Sequence, residues 1–397
     1  MTDSRAEATE PLPGLGVPIG AGIVTALVGF TSSFAVVLTG LRAVGADQPQ
    51  AASGLLALCV TQAVGMLWLS RRYRIPLTLA WSTPGAALLA GAGSVTGGWT
   101  AAVGAFVLVG FAIVATGLWP RLGRAVAAIP TSLAQAMLAG VLMPLCLEPV
   151  FALRDSPWAV APVVIVWLVL QRWSVRWSVP AAFGVAACVI AVSLIREGRT
   201  LPIDTLIPTV EFTAPIWTWQ ALIGIAIPLY IVTMASQNIP GIAVMNSFGY
   251  RVPWRPSMIV TGIGTIVGAP AGGHAVNLAA ISAALAAAPA ADPDPKRRWT
   301  AAFTAGWAYL ALAICSTAAA TLIAAAPHGV IEAVAGLALV ATLGSALSGA
   351  LADVEERGGA VVTFLVAASG VSIFGIASAF WALVAGGVVR QATRTGR

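Results

Sequence analysis

The stretch GAPAGGHAVNLAAISAALAA, from Gly268 to Ala287, changes abruptly from glycine and proline residues to an apolar helical run. The proline-rich sequence DPDPKRR follows it, so a helix that starts near His274 is too short to cross a bilayer, which takes about 20 residues. We predict a half-helix at 274–287. Irregular backbone survives at membrane depth only inside protein or beside a cavity, and a helix N-terminus favours anions. The stretch therefore predicts a binding site that faces a cavity.

The composition indicates a protein that crosses the membrane many times. Hydrophobic residues make up 58% of the 397 residues and charged residues only 9%, whereas soluble proteins carry about 25% charged residues. The net charge of +6 comes from short arginine clusters between apolar runs, which indicates loops that set topology and not nucleic-acid binding. The four cysteines lie inside apolar runs without metal-ligand spacing, so we expect no metal, cofactor or disulfide.

The apolar runs predict an all-α polytopic membrane protein with fourteen transmembrane elements, arranged as a 7+7 inverted repeat. Elements 3 and 10 are short half-helices preceded by extended segments. The runs of the first half are 17–41, 50–69, 84–92, 99–118, 129–147, 158–170 and 179–195. Those of the second half are 216–236, 256–267, 274–287, 302–325, 330–351, 360–376 and 377–389. An odd number of spans in each half gives the two halves opposite orientations.

The basic residues are distributed unevenly over the predicted loops. The loops after even-numbered elements and the two tails carry most of them, and the other side carries only Arg42, Arg154, Arg196 and Arg199. The positive-inside rule then places both termini in the cytoplasm. In an inner (cytoplasmic) membrane we expect a cytoplasmic tail at 1–15, a first repeat at 16–196, an extracytoplasmic linker at 197–215 and a second repeat at 216–391.

The first half contains a counterpart of the opening stretch. The sequence IPLTLAWSTPGAALLA, which begins at Ile75, also joins an extended segment with proline and threonine to a short apolar element. Short interrupted segments at matching positions of two halves are typical of a transporter with its site at the membrane midplane. In an inverted repeat the two half-helices would meet with their N-termini facing one pocket.

Three sequences, AWSTPGAAL, ASQNIPGIAV and GGHAVNLAAISAA, resemble the benzoate membrane transport proteins, the benzoate:proton symporter family. This family is similar to the uracil/xanthine, sulfate and bicarbonate transporters, which have seven plus seven inverted repeats. The resemblance implies a core domain of elements 1 to 4 and 8 to 11 that moves against a gate domain of elements 5 to 7 and 12 to 14. It also implies a substrate site between elements 1, 3, 8 and 10.

One departure from the related transporters bears on the substrate. Nucleobase transporters of this group carry glutamates in elements 8 and 10, whereas the matching neighbourhoods here are Ser236-Gln237-Asn238 and Ala275-Val276-Asn277. A carboxylate beside a carboxylate substrate would cost several kcal/mol in a site of low dielectric. The absence of these glutamates favours an anionic substrate.

The predicted substrate site draws polar, glycine and aromatic residues from four elements. Trp81 is suited to stacking on an aromatic ring, and Ser82 fits both helix capping and substrate contact. Gln237 fits a substrate or backbone partner and equally a helix-end cap. Asn277 would share a helix face with His274, so its amide is suited to contact with the same pocket. The alternative is that the amide forms a hydrogen bond to a neighbouring helix. The full set is Thr31, Ser32, Trp81, Ser82, Thr83, Gly85, Gln237, Asn238, Gly273, His274 and Asn277.

Two residues are candidates for proton coupling. His274 fits a partner for the proton or the substrate carboxylate, since imidazole titrates near neutrality; the alternative is a neutral imidazole that caps backbone groups in a packed bend. Glu332 lies near the start of element 12, where an acid inside the membrane indicates function. The alternative there is a first-turn acid at the outer interface.

The leading hypothesis is a secondary active transporter that imports benzoate or a similar aromatic carboxylate by proton symport, with alternating access. The chain has no GxxxxGK[ST] sequence, which argues against ATP hydrolysis. The alternative is the same fold carrying a neutral nucleobase or a small inorganic anion, with an ion channel less favoured. The sequence contains no set of residues suited to catalysis, so it does not indicate an intramembrane enzyme. The expected partners are the substrate, the proton and the lipid bilayer, without nucleic acid, and the assembly is a monomer or a homodimer.

Overall fold

The computed structural model describes residue 14 and residues 16–93, 96–127, 130–199 and 206–395. Nearly all of the predicted tail at 1–15 and part of the predicted linker at 197–215 lie outside the described residues. Within them, seven helices are long and apolar enough to cross a membrane, and one bent pair makes eight. The protein is a mostly helical, polytopic membrane protein. The fourteen-element inverted repeat stays a prediction.

The described part of the first half contains nine helices. They are α1 (Gly16–Thr31), α2 (Phe34–Ala43), α3 (Gln48–Tyr73), α4 (Thr83–Ala92), α5 (Gly98–Leu118), α6 (Pro120–Ala127), α7 (Thr131–Asp155), α8 (Pro157–Trp173) and α9 (Val175–Arg196). Helix α4 matches the half-helix predicted at 84–92 to within one residue.

The described part of the second half contains eight helices. They are α10 (Trp219–Ser247), α11 (Trp254–Gly268), α12 (Ile281–Ala287), α13 (Trp299–Ile314), α14 (Ser316–Ala324), α15 (Val330–Ala350), α16 (Arg357–Ala368) and α17 (Ser378–Thr395). Helices α13 and α14 are bent by 51° where they meet, so the run predicted at 302–325 is two helices. Elements 13 and 14, predicted as nearly continuous, are α16 and α17, separated by residues 369–377.

Two strands of three residues, β1 (Leu79–Trp81) and β2 (Val276–Leu278), pair antiparallel and join the two halves of the chain. Beyond β1, the Ser82 N–H donates to Ala275 O at 2.9 Å. Backbone groups at membrane depth must find partners inside the protein. The ladder supplies these partners to the extended segments that precede the two short helices.

The predicted start of the second half-helix is wrong. Helix α12 begins at Ile281 and not at His274. Gly272 has a φ of +90°, a left-handed conformation that glycine adopts without steric cost, and it turns the chain after α11 towards β2. Pairing with β1 then holds His274 and Asn277 in an extended segment, so these two residues do not share a helix face.

Helix α10 continues beyond the end predicted for element 8 at Ser236. It runs to Ser247 and contains two π-helical segments, Leu222–Ala226 and Met234–Asn238. Pro240 follows the second π segment by two residues, and local π adjustments in a transmembrane helix re-satisfy the backbone groups that a proline frees. Pro240 therefore does not end the helix, and the second π segment is of a kind that is frequent at functional sites.

The helices pack in two sets. The first set contains α1–α5 and α10–α14, and the second contains α7–α9 and α15–α17. Helix α6 lies in the connection from the first set to the second. Because α4, α12 and both strands belong to the first set, the irregular segments lie within that set and beside the boundary with the second.

Candidate functional site

A cavity of about 120 Å³ lies at the boundary between the two sets of helices, beside the paired strands. The first set contributes the break between α1 and α2, the strand β1, the start of α4, the second π segment of α10 and residues 279–282. The second set contributes Ala338 and Thr342 of α15. The cavity therefore contacts parts of the chain that are far apart in sequence.

Trp81 and Tyr309 form an aromatic wall of the cavity. They are 2% and 3% exposed, and their rings meet edge to face at 6.0 Å between centroids. The indole N–H of Trp81 donates to Ser33 Oγ at 2.9 Å, and Phe30 meets the indole edge to face at 5.9 Å. Contacts of this kind fix the orientation of an aromatic ring, so Trp81 gives the cavity a rigid aromatic surface.

Three hydroxyl residues lie at the break between α1 and α2, the first of them at the end of α1. Thr31 Oγ1 donates to Leu27 O at 2.6 Å, and Ser32 and Ser33 each donate to Gly29 O at 3.2 Å. These bonds satisfy carbonyl groups next to the interruption. Ser32 and Ser33 line the cavity and Thr31 does not.

Ser82, Thr83 and Gly85 form the start of α4. Ser82 is the N-cap, and its Oγ accepts from Gly85 N–H at 3.1 Å and from Thr233 Oγ1 of α10 at 2.9 Å. Pro84 has no N–H, so Thr83 carries the first-turn amide that remains for a ligand. Thr83 and Pro84 line the cavity, whereas Ser82 and Gly85 do not.

The second π segment of α10 supplies Gln237 and Asn238. Gln237 lines the cavity. Asn238 is fully buried; its Oδ1 accepts from Leu278 N–H at 2.9 Å, and its amide nitrogen donates to Met234 Sδ at 3.2 Å. Asn238 thus connects β2 to α10 through a hydrogen bond. Gln237 is the residue of this segment whose amide side chain contacts the cavity.

Gly273, His274 and Asn277 do not line the cavity. His274 and Asn277 are fully buried, and the His274 ring meets Phe106 of α5 edge to face at 6.3 Å. Neither nitrogen of His274 makes a hydrogen bond of normal geometry within the described residues. Buried polar groups without partners are rare, and the two interpretations of the imidazole, as a proton or substrate partner and as a backbone cap, both stay predictions.

Glu332 lies away from this cavity. It is exposed in the first turn of α15 and lines a separate cleft of about 630 Å³. Arg42 and His328 line the same cleft. The structure therefore does not bring Glu332 together with Trp81 or Gln237.

The sequence analysis did not select Tyr309, Ser282 or Thr342, which line the cavity. Tyr309 had a detectable signal, because a tyrosine in the apolar run of element 11 needs a partner for its hydroxyl when it is buried. Ser282 and Thr342 had no such signal, because serine and threonine are common in transmembrane helices. Only the packing of α15 against the first set places Thr342 here.

The wall of the cavity is neutral. No charged side chain lines it within the described residues, and its polar side chains are hydroxyls and one amide. The described residues also contain no group of three or more His, Cys, Asp or Glu side chains that could hold a metal ion. Neutral donors beside aromatic surfaces suit a small ligand with an aromatic ring and a polar or anionic group.

Two solved structures resemble the fold. The transmembrane domain of a cyanobacterium bicarbonate transporter, BicA, aligns with a TM-score of 0.57 and 15% identity, over 96% of this chain and 97% of that chain. The overall structure of SLC26A9 aligns with a TM-score of 0.59 and 13% identity, over 94% of this chain and 65% of that chain. At these identities the similarity concerns the fold alone.

Two relatives and a family profile show which family the chain belongs to. Inner membrane protein YdcO of Escherichia coli (strain K12) is 38% identical over 374 residues, 93% of each chain. The benzoate membrane transport protein of Acinetobacter baylyi (strain ATCC 33305 / BD413 / ADP1) is 27% identical over 367 residues, 92% of each chain. The profile of the benzoate membrane transport protein family matches residues 16–392. Nearly the whole chain thus carries the pattern that the three short sequences suggested, and the protein belongs to the benzoate membrane transport protein family, a family of membrane transporters.

Proposed function

We propose that the protein is a secondary active transporter that imports benzoate or a similar aromatic carboxylate by proton symport across the inner membrane. The family membership supports transport, and the relative from Acinetobacter baylyi carries benzoate in its name. The relative from Escherichia coli is named as an inner membrane protein. The main support for an aromatic carboxylate as the substrate is the neutral cavity beside Trp81 and Tyr309.

The aromatic part of the substrate would lie against Trp81 and Tyr309. Trp81 is in edge-to-face contact with both Tyr309 and Phe30. Binding of a flat ring therefore costs little side-chain conformational entropy in the site. Edge-to-face and offset contacts between aromatic rings contribute about 0.5–1.5 kcal/mol each beyond the burial of apolar area. A cavity of this kind favours an aromatic substrate over an inorganic ion.

The carboxylate would bind neutral hydrogen-bond donors. Gln237 offers an amide, Thr342 offers a hydroxyl, and Thr83 offers the first-turn amide of α4. The positive end of the α4 dipole adds to these donors. An acidic side chain would repel the substrate in this setting, and none lines the cavity in the described part of the chain.

Alternating access would come from movement of the first set of helices against the second. The cavity has Ala338 and Thr342 of the second set on one side, and the remaining lining residues belong to the first set. A relative displacement of the two sets would therefore open and close one side of the site. We propose that the two sets are the core and gate domains, related internally by the 7+7 inverted repeat.

His274 is the better supported of the two candidates for proton coupling. It is fully buried in the segment that leads into β2, and the chain beyond β2 lines the cavity. Imidazole in its unperturbed form titrates near neutrality, and neither nitrogen of His274 makes a hydrogen bond of normal geometry within the described residues. Glu332 lies in a different cleft, so a proton there would not be close to the substrate.

We propose import as the direction of transport, because a proton gradient that is acid outside would drive a proton symporter inward. The arginine clusters favour cytoplasmic termini by the positive-inside rule.

Competition for uptake tests the cargo. Proteoliposomes that contain the purified protein take up radiolabelled benzoate, and the rate of protein-free liposomes is subtracted because benzoic acid crosses lipid unaided. We expect saturable uptake that is inhibited by substituted benzoates and not by uracil or sulfate. Inhibition by uracil would favour a nucleobase as cargo, and inhibition by sulfate without inhibition by substituted benzoates would favour an inorganic anion.

A further inference from the structure

A second cleft, of about 420 Å³, opens where the ends of α5 and α6 face the middle of α10. Gly117 and Trp254 form one side of it, and Met234, Ile239 and Ile242 of α10 form the other. It shares no lining residue with the substrate cavity. The transport mechanism proposed above gives this cleft no role.

Apart from Arg124 and Thr116, the wall of the cleft is apolar. Thr116 is its one uncharged polar side chain, and its hydroxyl already donates to Ala112 O at 2.7 Å and is hydrogen-bonded to Tyr230. The remaining uncharged residues are aliphatic, aromatic, glycine or proline. Such a wall favours a hydrocarbon chain over a sugar, a nucleotide or an inorganic ion.

Four arginines lie in the elements that line the cleft or directly before them, and one of them lines the cleft itself. Arg124 lines it, Arg121 lies one turn earlier on α6, and Arg251 and Arg255 lie just before and within the first turn of α11. All four are exposed. None of them forms an ion pair with an acid in the part of the chain that the structure describes. The opening is therefore positively charged, on the face that the arginine clusters assign to the cytoplasm.

We propose that this cleft holds one anionic phospholipid of the cytoplasmic leaflet. An acyl chain would pack against Met234, Ile239 and Ile242, and the phosphate would bind Arg124 with Arg121 beside it. Arginine suits phosphate because its planar group donates two parallel hydrogen bonds. Basic openings between transmembrane helices on the cytoplasmic side are typical binding sites for anionic head groups.

The second π segment of α10 connects the lipid to the transport site. Met234 lines the lipid cleft and Gln237 lines the substrate cavity. Asn238 bonds both Met234 Sδ and the Leu278 N–H of β2. A lipid that packs on Met234 therefore supports the segment that positions Gln237, and we expect it to accelerate transport. This coupling rests on the proposed function, whereas the lipid site does not.

Lipid retention measured by native mass spectrometry tests the site. The protein is purified in detergent micelles with equal amounts of phosphatidylglycerol and phosphatidylcholine. We expect the wild type to retain one phosphatidylglycerol in preference to phosphatidylcholine. The Arg121→Ala/Arg124→Ala variant should retain at least about tenfold less, because each basic side chain near an anionic surface contributes about fivefold. The Ile242→Trp variant, which fills the apolar part with both arginines intact, should lose the lipid too.

The matched control is Arg172→Ala/Arg176→Ala, which removes two exposed arginines, one in the last turn of α8 and one in the first turn of α9, on the same predicted face. It should retain phosphatidylglycerol as the wild type does. Equal retention of the two lipids by the wild type, or unchanged retention by both cleft variants, would overturn the proposal. Displacement of the lipid by soluble glycerol phosphate would also overturn it, since it would indicate a phosphate site without an acyl chain.

Uptake measured with and without phosphatidylglycerol tests the coupling. Phosphatidylglycerol should stimulate the wild type and the Arg172→Ala/Arg176→Ala control, and it should not stimulate the Arg121→Ala/Arg124→Ala variant. Stimulation of all three proteins alike would contradict the coupling. Lipid retention is measured without substrate, so a protein that fails to carry benzoate but binds the lipid as described would refute the proposed function and leave this inference standing.

Discussion

At the scale of single residues, Gln237 is the amide side chain on the cavity wall. We expect Gln237→Ala to raise the half-saturation concentration for benzoate about tenfold or more. The reason is that a hydrogen bond to a charged group contributes about 1.5–3 kcal/mol, and about 1.4 kcal/mol corresponds to a factor of ten. The measurement is the concentration dependence of benzoate uptake by proteoliposomes.

Gln220 provides the matched control on the same helix, since it lies in α10 but does not line the cavity. Gln220→Ala should leave the half-saturation concentration unchanged. An effect of equal size in both variants would mean that Gln237 acts through the stability of α10 and not through the substrate.

His274 carries a separate prediction about coupling. His274→Ala should abolish the response of uptake to an imposed pH gradient, while exchange of internal for external benzoate continues, because exchange needs no net proton transfer. His274→Gln, which retains most of the volume, should behave in the same way. The exposed His328 is the control, and His328→Ala should keep the full response. An unchanged pH response in both His274 variants would remove His274 as the proton carrier.

The sequence predicted part of the cavity wall. Four residues of the predicted set line the cavity, namely Ser32, Trp81, Thr83 and Gln237. Asn238 and Ser82 were selected for polar character in irregular segments, but each forms hydrogen bonds inside the protein. A sequence cannot distinguish these two uses, because both require a polar side chain near a broken helix.

At the scale of elements, the packing of α4 against α10 depends on Gly85. A Cβ at Gly85 would lie 2.7 Å from Ser82 Oγ, and it would also collide with the side chain of Leu229. We expect Gly85→Val to reduce uptake to about one tenth or less, because overpacking of about 1–3 kcal/mol would displace Thr83 from the cavity. Uptake is measured in proteoliposomes with equal amounts of inserted protein.

Gly184 is the control for this substitution, since it is also helical and a Cβ there would meet no atom within 4 Å. Gly184→Val should insert and transport normally. Normal uptake by Gly85→Val would contradict the role assigned to the start of α4.

The elements differ in how far their sequence determines them. The start of α4 was predictable because Ser82 and Pro84 form a local capping signal. The start of α12 was not, because the extended conformation of His274 and Asn277 depends on a strand nearly 200 residues earlier in the chain. The continuation of α10 through Pro240 was also hidden, since a π segment leaves no local signal in the sequence.

At the scale of the whole molecule, two sets of helices enclose one cavity that has aromatic surfaces, neutral donors and no charge in the described part of its wall. Composition predicted a polytopic membrane protein, since few charged residues in a long chain leave no alternative. Composition did not predict which helices form each set, because contacts between transmembrane helices depend on side-chain packing and not on hydrophobicity.

The central claim is that a proton gradient drives an aromatic carboxylate through this cavity. The most direct measurement is benzoate uptake by proteoliposomes with an outside-acid pH gradient, compared with no gradient and with protein-free liposomes under the same gradient. The account predicts saturable uptake above the protein-free rate that rises when the gradient is imposed and falls in Gln237→Ala. Uptake equal to that of protein-free liposomes, or carrier-mediated uptake that ignores the gradient, would contradict it.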